Sequence, residues 1–161
     1  MSIEEYNICV DEFTDRVYRF ILKNARNKDV ARDIIQDSFE KLWINCKNVQ
    51  FEKAKSYIFT TAYHTFIDFT RKEKRYADAE QIDFTNYSHS TQYSDLNEIL
   101  NQALIQLPEI QRSAILLRDY EGYSYQEIGE ITGLNESQVK VYIYRARLAL
   151  KNYLVSIENV A

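Results

Sequence analysis

Turn-forming residues are almost missing from this chain, and that scarcity decides what it can fold into. Of 161 residues only three are glycine and one is proline: Gly122, Gly129, Gly133 and Pro108. Sheet proteins need many tight turns, and tight turns need Gly, Pro and Asn at fixed places. A chain this poor in Gly and Pro, and rich in Leu, Ile, Ala, Glu, Lys and Arg, is expected to be all-α. Hydrophobic residues make up 45% of the sequence, enough for packed cores and too many for a disordered tail. The length suits one or two small domains.

The first half reads as a three-to-four-helix bundle over residues 1–75. From Asp11 to Asn24, Phe13, Val17, Phe20 and Ile21 recur with a helical period. Asn27 to Asp29 is a polar break with capping residues. Val30 to Cys46 turns Ile34, Ile35, Phe39, Leu42 and Trp43 inward, and Asp33, Gln36, Asp37 and Glu40 outward. Those four polar residues sit at i, i+3, i+4 and i+7, one stripe of a helix. Lys47 to Lys53 reads as a loop. Lys55 to Arg75 reads as a long helix with Ile58, Ala62, Phe66 and Phe69 packed and Tyr57, Phe59 and Tyr63 as additional aromatics. Asp68 and Arg71 are spaced for an ion pair.

Residues 76–95 change character. They are rich in Ser, Thr, Asn, Gln and Tyr, hold four acids and no base, and lack a periodic apolar face. Such a stretch is expected to be a flexible acidic linker between two domains that are tethered rather than fused. The second domain, residues 96–161, is expected to hold four helices. Pro108 opens the second of them and Gly122 ends it. Ser124 to Thr132 and the stretch after Asn135 form a helix-turn-helix, with Gly133 in the turn and Gly129 as a packing residue. In the last helix Val139, Tyr142, Ile143, Ala146, Ala149 and Leu150 trace one face. Lys140, Val141, Tyr144, Arg145, Arg147 and Lys151 trace the other.

Charge is distributed unevenly. The net charge is −4, yet no acid occurs between Ser137 and Ile157, while Glu98 to Glu136 carries seven acids and two bases. The cations gather at Arg71 to Arg75 and at Lys140 to Lys151. Two small basic patches on an acidic body attract DNA weakly, because phosphate attraction scales with the cations placed on the backbone. A larger partner is needed to hold such a chain on DNA. No apolar run is long enough to span a membrane, and the acidic N-terminus lacks an export signal, so a cytoplasmic protein is expected. Cys9 and Cys46 read as reduced, partly buried thiols. With two histidines far apart, neither a metal nor a cofactor is expected. Without a Gly-rich phosphate loop, metal cluster or Ser/His/Asp set, no enzyme and no small-molecule substrate is expected.

Two helical domains, an acidic linker and a C-terminal helix-turn-helix resemble the extracytoplasmic-function group of the sigma-70 family. Ala31–Trp43 (ARDIIQDSFEKLW) is similar to the segment by which that group grips the largest subunit of RNA polymerase. Ser56–Arg75 is similar to its promoter-melting segment, and Leu107–Leu150 to its −35-reading domain. The resemblance implies a non-enzymatic specificity subunit whose partners are core RNA polymerase and promoter DNA. It also makes an anti-sigma protein an expected partner. On these motifs, Asp33, Gln36, Asp37 and Glu40 are expected to meet polymerase. Lys55, Tyr57, Tyr63, His64, Arg71, Lys72 and Arg75 are expected to open and hold the −10 region, with the loop 47–53 receiving a flipped base. Ser137, Gln138, Lys140, Val141, Tyr144, Arg145 and Arg147 are expected to meet the −35 element. The chain has Tyr63-His64 where the group usually has Arg-Asn, and Val141 where it often has a small polar residue, so the group's base preferences are not carried over. The alternative is a helix-turn-helix regulator that binds an operator without polymerase. Its single recognition helix, its linker and its acidic balance weigh against that alternative.

Overall fold

A computed structural model of the chain describes residues 1–79 and 95–160. Among the described residues there is no strand; the architecture is helical throughout. The first half holds α1 (Ile3–Ala25), α2 (Lys28–Ile44), a 3-10 turn (Phe51–Lys53) and α3 (Ala54–Ala79). The second half holds α4 (Asp95–Gln106), α5 (Glu109–Ile115), a wide π turn (Leu116–Tyr120), α6 (Tyr125–Thr132) and α7 (Glu136–Val160).

Caps set most of the boundaries. Ser2 and Glu5 form a capping box, so α1 starts eight residues before the apolar period does; Glu5 Oε2 accepts from Ser2 N–H at 2.8 Å. The helix stops at Arg26, which takes φ 56° and donates its N–H to Leu22 O at 2.8 Å. A left-handed cap on arginine is invisible to a search for glycine. Asn27 caps α2 by accepting from Asp29 N and Val30 N. Pro108 is the cap residue before α5 rather than its first residue. Gly122 (φ 75°) and Gly133 (φ 80°) both adopt the left-handed conformation that their turns require. Of the expected linker, 76–79 continue α3 and Asp95 begins α4, while residues 80–94 lie outside the described residues.

In the first half, the core differs from the sequence expectation at Trp43 and along α3. Trp43, read as inward, is 48% exposed and packs edge-on against Tyr6 at 4.9 Å. Phe59 and Tyr63 are fully or nearly fully buried, at 0% and 4%. The physical reason for the second difference is that α3 is covered on two faces. Ile58, Ala62 and Phe66 pack on α1 and α2, whereas Phe59 meets Tyr123 just ahead of α6, ring centroids 5.4 Å apart. The buried side chains of both halves therefore form one continuous cluster, from Val17, Phe20 and Ile21 through Phe59 to Leu116, Tyr123 and Ile128. Halves expected to be merely tethered are packed together.

Candidate functional site

The helix-turn-helix is built from reciprocal caps. Ser124 and Glu127 close the start of α6, each accepting from the other's backbone N–H at 3.1 Å. Those hydrogen bonds hold the Glu127 carboxyl below its usual range. Asn135 and Gln138 do the same for α7, at 2.8 and 3.0 Å. Gly129 keeps the turn tight: a Cβ there would lie 2.6 Å from the Leu134 carbonyl oxygen. Its role is an approach to the turn backbone, which is closer than the helix–helix contact expected from sequence. Val139, Ile143 and Ala146 are buried, Tyr142 and Leu150 partly so, and Ala149 is exposed rather than inward.

The outward face of α7 carries all seven residues singled out for duplex contact. Ser137, Gln138, Lys140, Val141, Tyr144, Arg145 and Arg147 are all exposed. Their local ties differ. Gln138 already spends its side-chain oxygen on the cap. Lys140 pairs with Glu136 at 3.6 Å and lies 5.7 Å over the Tyr125 ring. Arg147 makes a two-pronged contact with Asp119, at 2.7 and 3.4 Å, which steadies its guanidinium cation. That contact joins α7 to the π turn, so Arg147 braces the helix as well as facing out. Leu148, at 45% exposure, extends the apolar strip that Val141 and Tyr144 begin. Exposed apolar groups on a groove-facing helix suit thymine methyls.

On α2, Asp33, Gln36, Asp37 and Glu40 are exposed along one stripe, as the spacing predicts. The stripe runs toward Trp43 and Ile44, the latter 71% exposed. Sequence reasoning missed both as surface groups, because their spacing also fits the inward face. Exposed Trp side chains are enriched at the energetic centres of protein interfaces.

The −10 candidates separate into groups. His64, Arg71, Lys72 and Arg75 are exposed along α3. Among the described residues the ion pairs are Arg16–Glu121, Lys140–Glu136 and Arg147–Asp119, so the expected Asp68–Arg71 pair is not formed. Tyr57 is half-buried and its hydroxyl accepts from Asn45 Nδ2 at 3.0 Å. It forms one wall of an open pocket of about 500 Å³ whose other walls are Asn45, Asn48, Val49, Gln50 and Lys53. The loop was legible in sequence, but its three amides were not singled out; an amide-rich loop between two amphipathic helices was the available signal. Tyr63 is a correction in this arrangement. Its ring is buried and packs edge-on to His64 at 5.7 Å, so it presents no face to a base. Burial, then the Glu109 carboxylate, push its phenol up to about 12. Lys55 is half-buried, 4.6 Å over the Tyr123 ring, and burial followed by the neighbouring Arg16 lowers its pKa.

Comparison with known proteins accounts for both halves. Residues 9–76 match the family model for Sigma-70 region 2, and residues 97–150 match that for Sigma-70, region 4. The chain is 36% identical over 141 residues to the RNA polymerase sigma factor SigV of Bacillus subtilis, covering 86% of this chain and 84% of that one. It is 29% identical over 157 residues to the ECF RNA polymerase sigma factor SigM of the same organism, covering 94% of each. Among solved structures, the sigma factor RpoE in its co-crystal with the anti-sigma factor NepR from Bartonella quintana superposes with a TM-score of 0.83 at 25% identity, covering 94% of this chain and 98% of that one. The capped helix-turn-helix with its outward cationic face, the acidic stripe of α2, and relatives matched over nearly the full chain lead to one assignment: the chain belongs to the extracytoplasmic-function group of the sigma-70 family of RNA polymerase sigma factors.

Proposed function

We propose that this chain is a promoter-specificity subunit that works by binding and positioning, without catalysing a reaction. Its proposed partners are core RNA polymerase and promoter DNA in the cytoplasm, with an anti-sigma protein as a third. Residues 1–75 and 96–161 act as its two working units, joined by 76–95. Asp33, Gln36, Asp37 and Glu40 offer charge-assisted hydrogen bonds to a basic polymerase helix, and Trp43 adds the apolar anchor. Lys140 and Arg145 donate to guanine edges or phosphates of the −35 element, while Val141 and Tyr144 meet the groove floor. Arg71, Lys72 and Arg75 track the backbone near the −10 element. The amide-lined pocket beside Tyr57 receives an unstacked base, whose capture offsets the cost of separating the strands.

The observation that carries this reading is the placement of the motif residues. Within the two matched regions, the α2 stripe and the α7 cationic face both lie on the surface. Run-off transcription with purified core polymerase on a genomic fragment library tests it. The expected result is discrete new start sites that share two spaced elements. Failure to associate with core polymerase, together with tight unaided binding to a duplex operator, would replace this reading with that of an independent regulator.

A further inference from the structure

One side chain outside the residues assigned to polymerase or promoter is tied to two of the α7 cations at once. Tyr125, the first residue of α6, is half-buried, and Lys140 Nζ lies 5.7 Å over its ring. The Arg118 guanidinium lies 4.6 Å over the same ring and is itself fixed by donating to Tyr123 O at 2.8 Å. Arg147 meets Asp119 of the π turn at 2.7 and 3.4 Å. That hydrogen bond chiefly holds the Arg147 guanidinium in its charged form, against a small cost of burial, and the Tyr125 hydroxyl adds to the effect. Tyr125 and Asp119 thus hold Lys140 and Arg147 from the α6 side of the recognition helix.

The position of these ties around α7 separates its outward residues into two sets. A helix turns about 100° per residue. Val139, Ile143 and Ala146 are buried, and Val141, Tyr144, Arg145 and Leu148 centre on the direction opposite to them. Lys140 and Arg147, seven residues apart, share a line about a quarter turn to one side. A major groove admits the set that points straight out to its base edges. A cation a quarter turn aside faces the groove wall, which is phosphate. Two turns of helix, about 10 Å, separate Lys140 from Arg147, so they address different phosphates. Lys140 also pairs with Glu136, but both partners are 57% exposed, and such a surface pair is weak enough to yield to a phosphate.

We propose that Tyr125 and Asp119 are positioning residues, which draw Lys140 and Arg147 to one edge of α7 as phosphate contacts and leave base reading to Val141, Tyr144, Arg145 and Leu148. The inference rests on the promoter-specificity reading and divides the labour within its −35 helix. Phosphate contacts fix register on the duplex, whereas base contacts carry the sequence information. A guanidinium held by a carboxylate and an ammonium held over a ring lose less rotational freedom on meeting the DNA backbone than untied ones would. Arg145 makes no ion pair among the described residues, so its guanidinium is left to reach a base edge.

The whole chain bound to core polymerase, on a promoter recovered by run-off transcription, supplies the test. Promoter affinity is measured across salt concentrations and on templates with each −35 base exchanged. Lys140→Ala and Arg147→Ala are each expected to weaken binding by one factor on every template. Each should also lower the slope of log affinity against log salt by about one. Arg145→Ala is expected to flatten the preference at its base pair instead. Tyr125→Leu keeps every α7 cation, yet is expected to lower the slope by about one or more with base preference kept. Tyr125→Phe keeps the ring and should match the wild type. Combined with Asp119→Asn it should behave as Arg147→Ala, whereas combined with Asp119→Glu it should keep the wild-type slope. Should Tyr125→Leu lose helicity by circular dichroism, the Tyr125→Phe/Asp119→Asn variant decides in its place. A wild-type slope in the deciding variant overturns the proposal, whether binding is unchanged or, as for a plain helix brace, weakened together with base preference. So does an altered base preference in Lys140→Ala or Arg147→Ala. If the wild type initiates at no promoter with core polymerase, the promoter-specificity reading fails and the positioning roles fall with it. If it initiates and Arg145→Ala acts as expected while the Tyr125 and Asp119 variants leave the slope unchanged, the positioning roles alone fail.

Discussion

Tyr63 shows how one side chain can carry two stories. Its place on the melting-segment motif made it a base-stacking candidate, and its neighbours in space make it a packed phenol. Its raised pKa gives a sign. The folded chain favours the neutral phenol, so this contribution to stability is complete below the ordinary value of 10.0 and is lost as pH climbs toward about 12. Urea midpoints measured across that window should fall for the wild type and fall less for Tyr63→Phe, which keeps the ring and removes the proton. On α7, Arg145→Ala should weaken transcription by the equivalent of about 1–3 kcal/mol at promoters carrying the −35 element. Association with core polymerase should be unchanged, as a pull-down would register. Arg145 was readable from sequence because an exposed cation on the polar face of an amphipathic helix needs no tertiary information. Tyr63 was not, because an aromatic on α3 fits a surface or a core equally well until its neighbours are known.

At the scale of elements, caps and spacing decide. The α2 stripe was legible because i, i+3, i+4 and i+7 is a property of any helix. Asp37→Arg should abolish recovery of core polymerase in a pull-down while leaving the helical circular dichroism signal intact. The turn between α6 and α7 depends on Gly129. A methyl there meets a carbonyl oxygen at 2.6 Å, and the obstacle is backbone, which cannot swing aside as a flexible side chain would. Gly129→Ala should therefore cost about 1–3 kcal/mol by chemical denaturation, outweighing the helix-propensity gain of about 1 kcal/mol. The end of α1 was less legible. Arg26 adopts a conformation usually left to glycine, and nothing in its neighbours along the chain announces it.

For the whole molecule, the question is whether the chain behaves as two bodies or one. Composition and the acidic stretch 76–95 pointed to two tethered units. The described residues share one buried cluster, bridged by the Phe20–Phe59–Tyr123 ring sequence, with centroids 5.7 and 5.4 Å apart. Calorimetry of the free chain should then show a single transition whose van't Hoff and calorimetric enthalpies agree. Two resolved transitions would mean that the halves unfold independently. Phe59→Ala, which empties the middle of the ring sequence, should lower stability by about 3–5 kcal/mol and broaden or split that transition.

The sequence by itself settled the helical class, the order of the helices, the helix-turn-helix and the two polar stripes. All of these follow from periodicity and capping, which act over a few residues of chain. The tertiary structure alone decided which second face of α3 is covered, that Trp43 points outward, and that Asn24 meets Arg112 and Ser113 across 88 and 89 residues of sequence. A helix with apolar groups on more than one side does not record which side meets which neighbour. Only the packing of the halves fixes that choice.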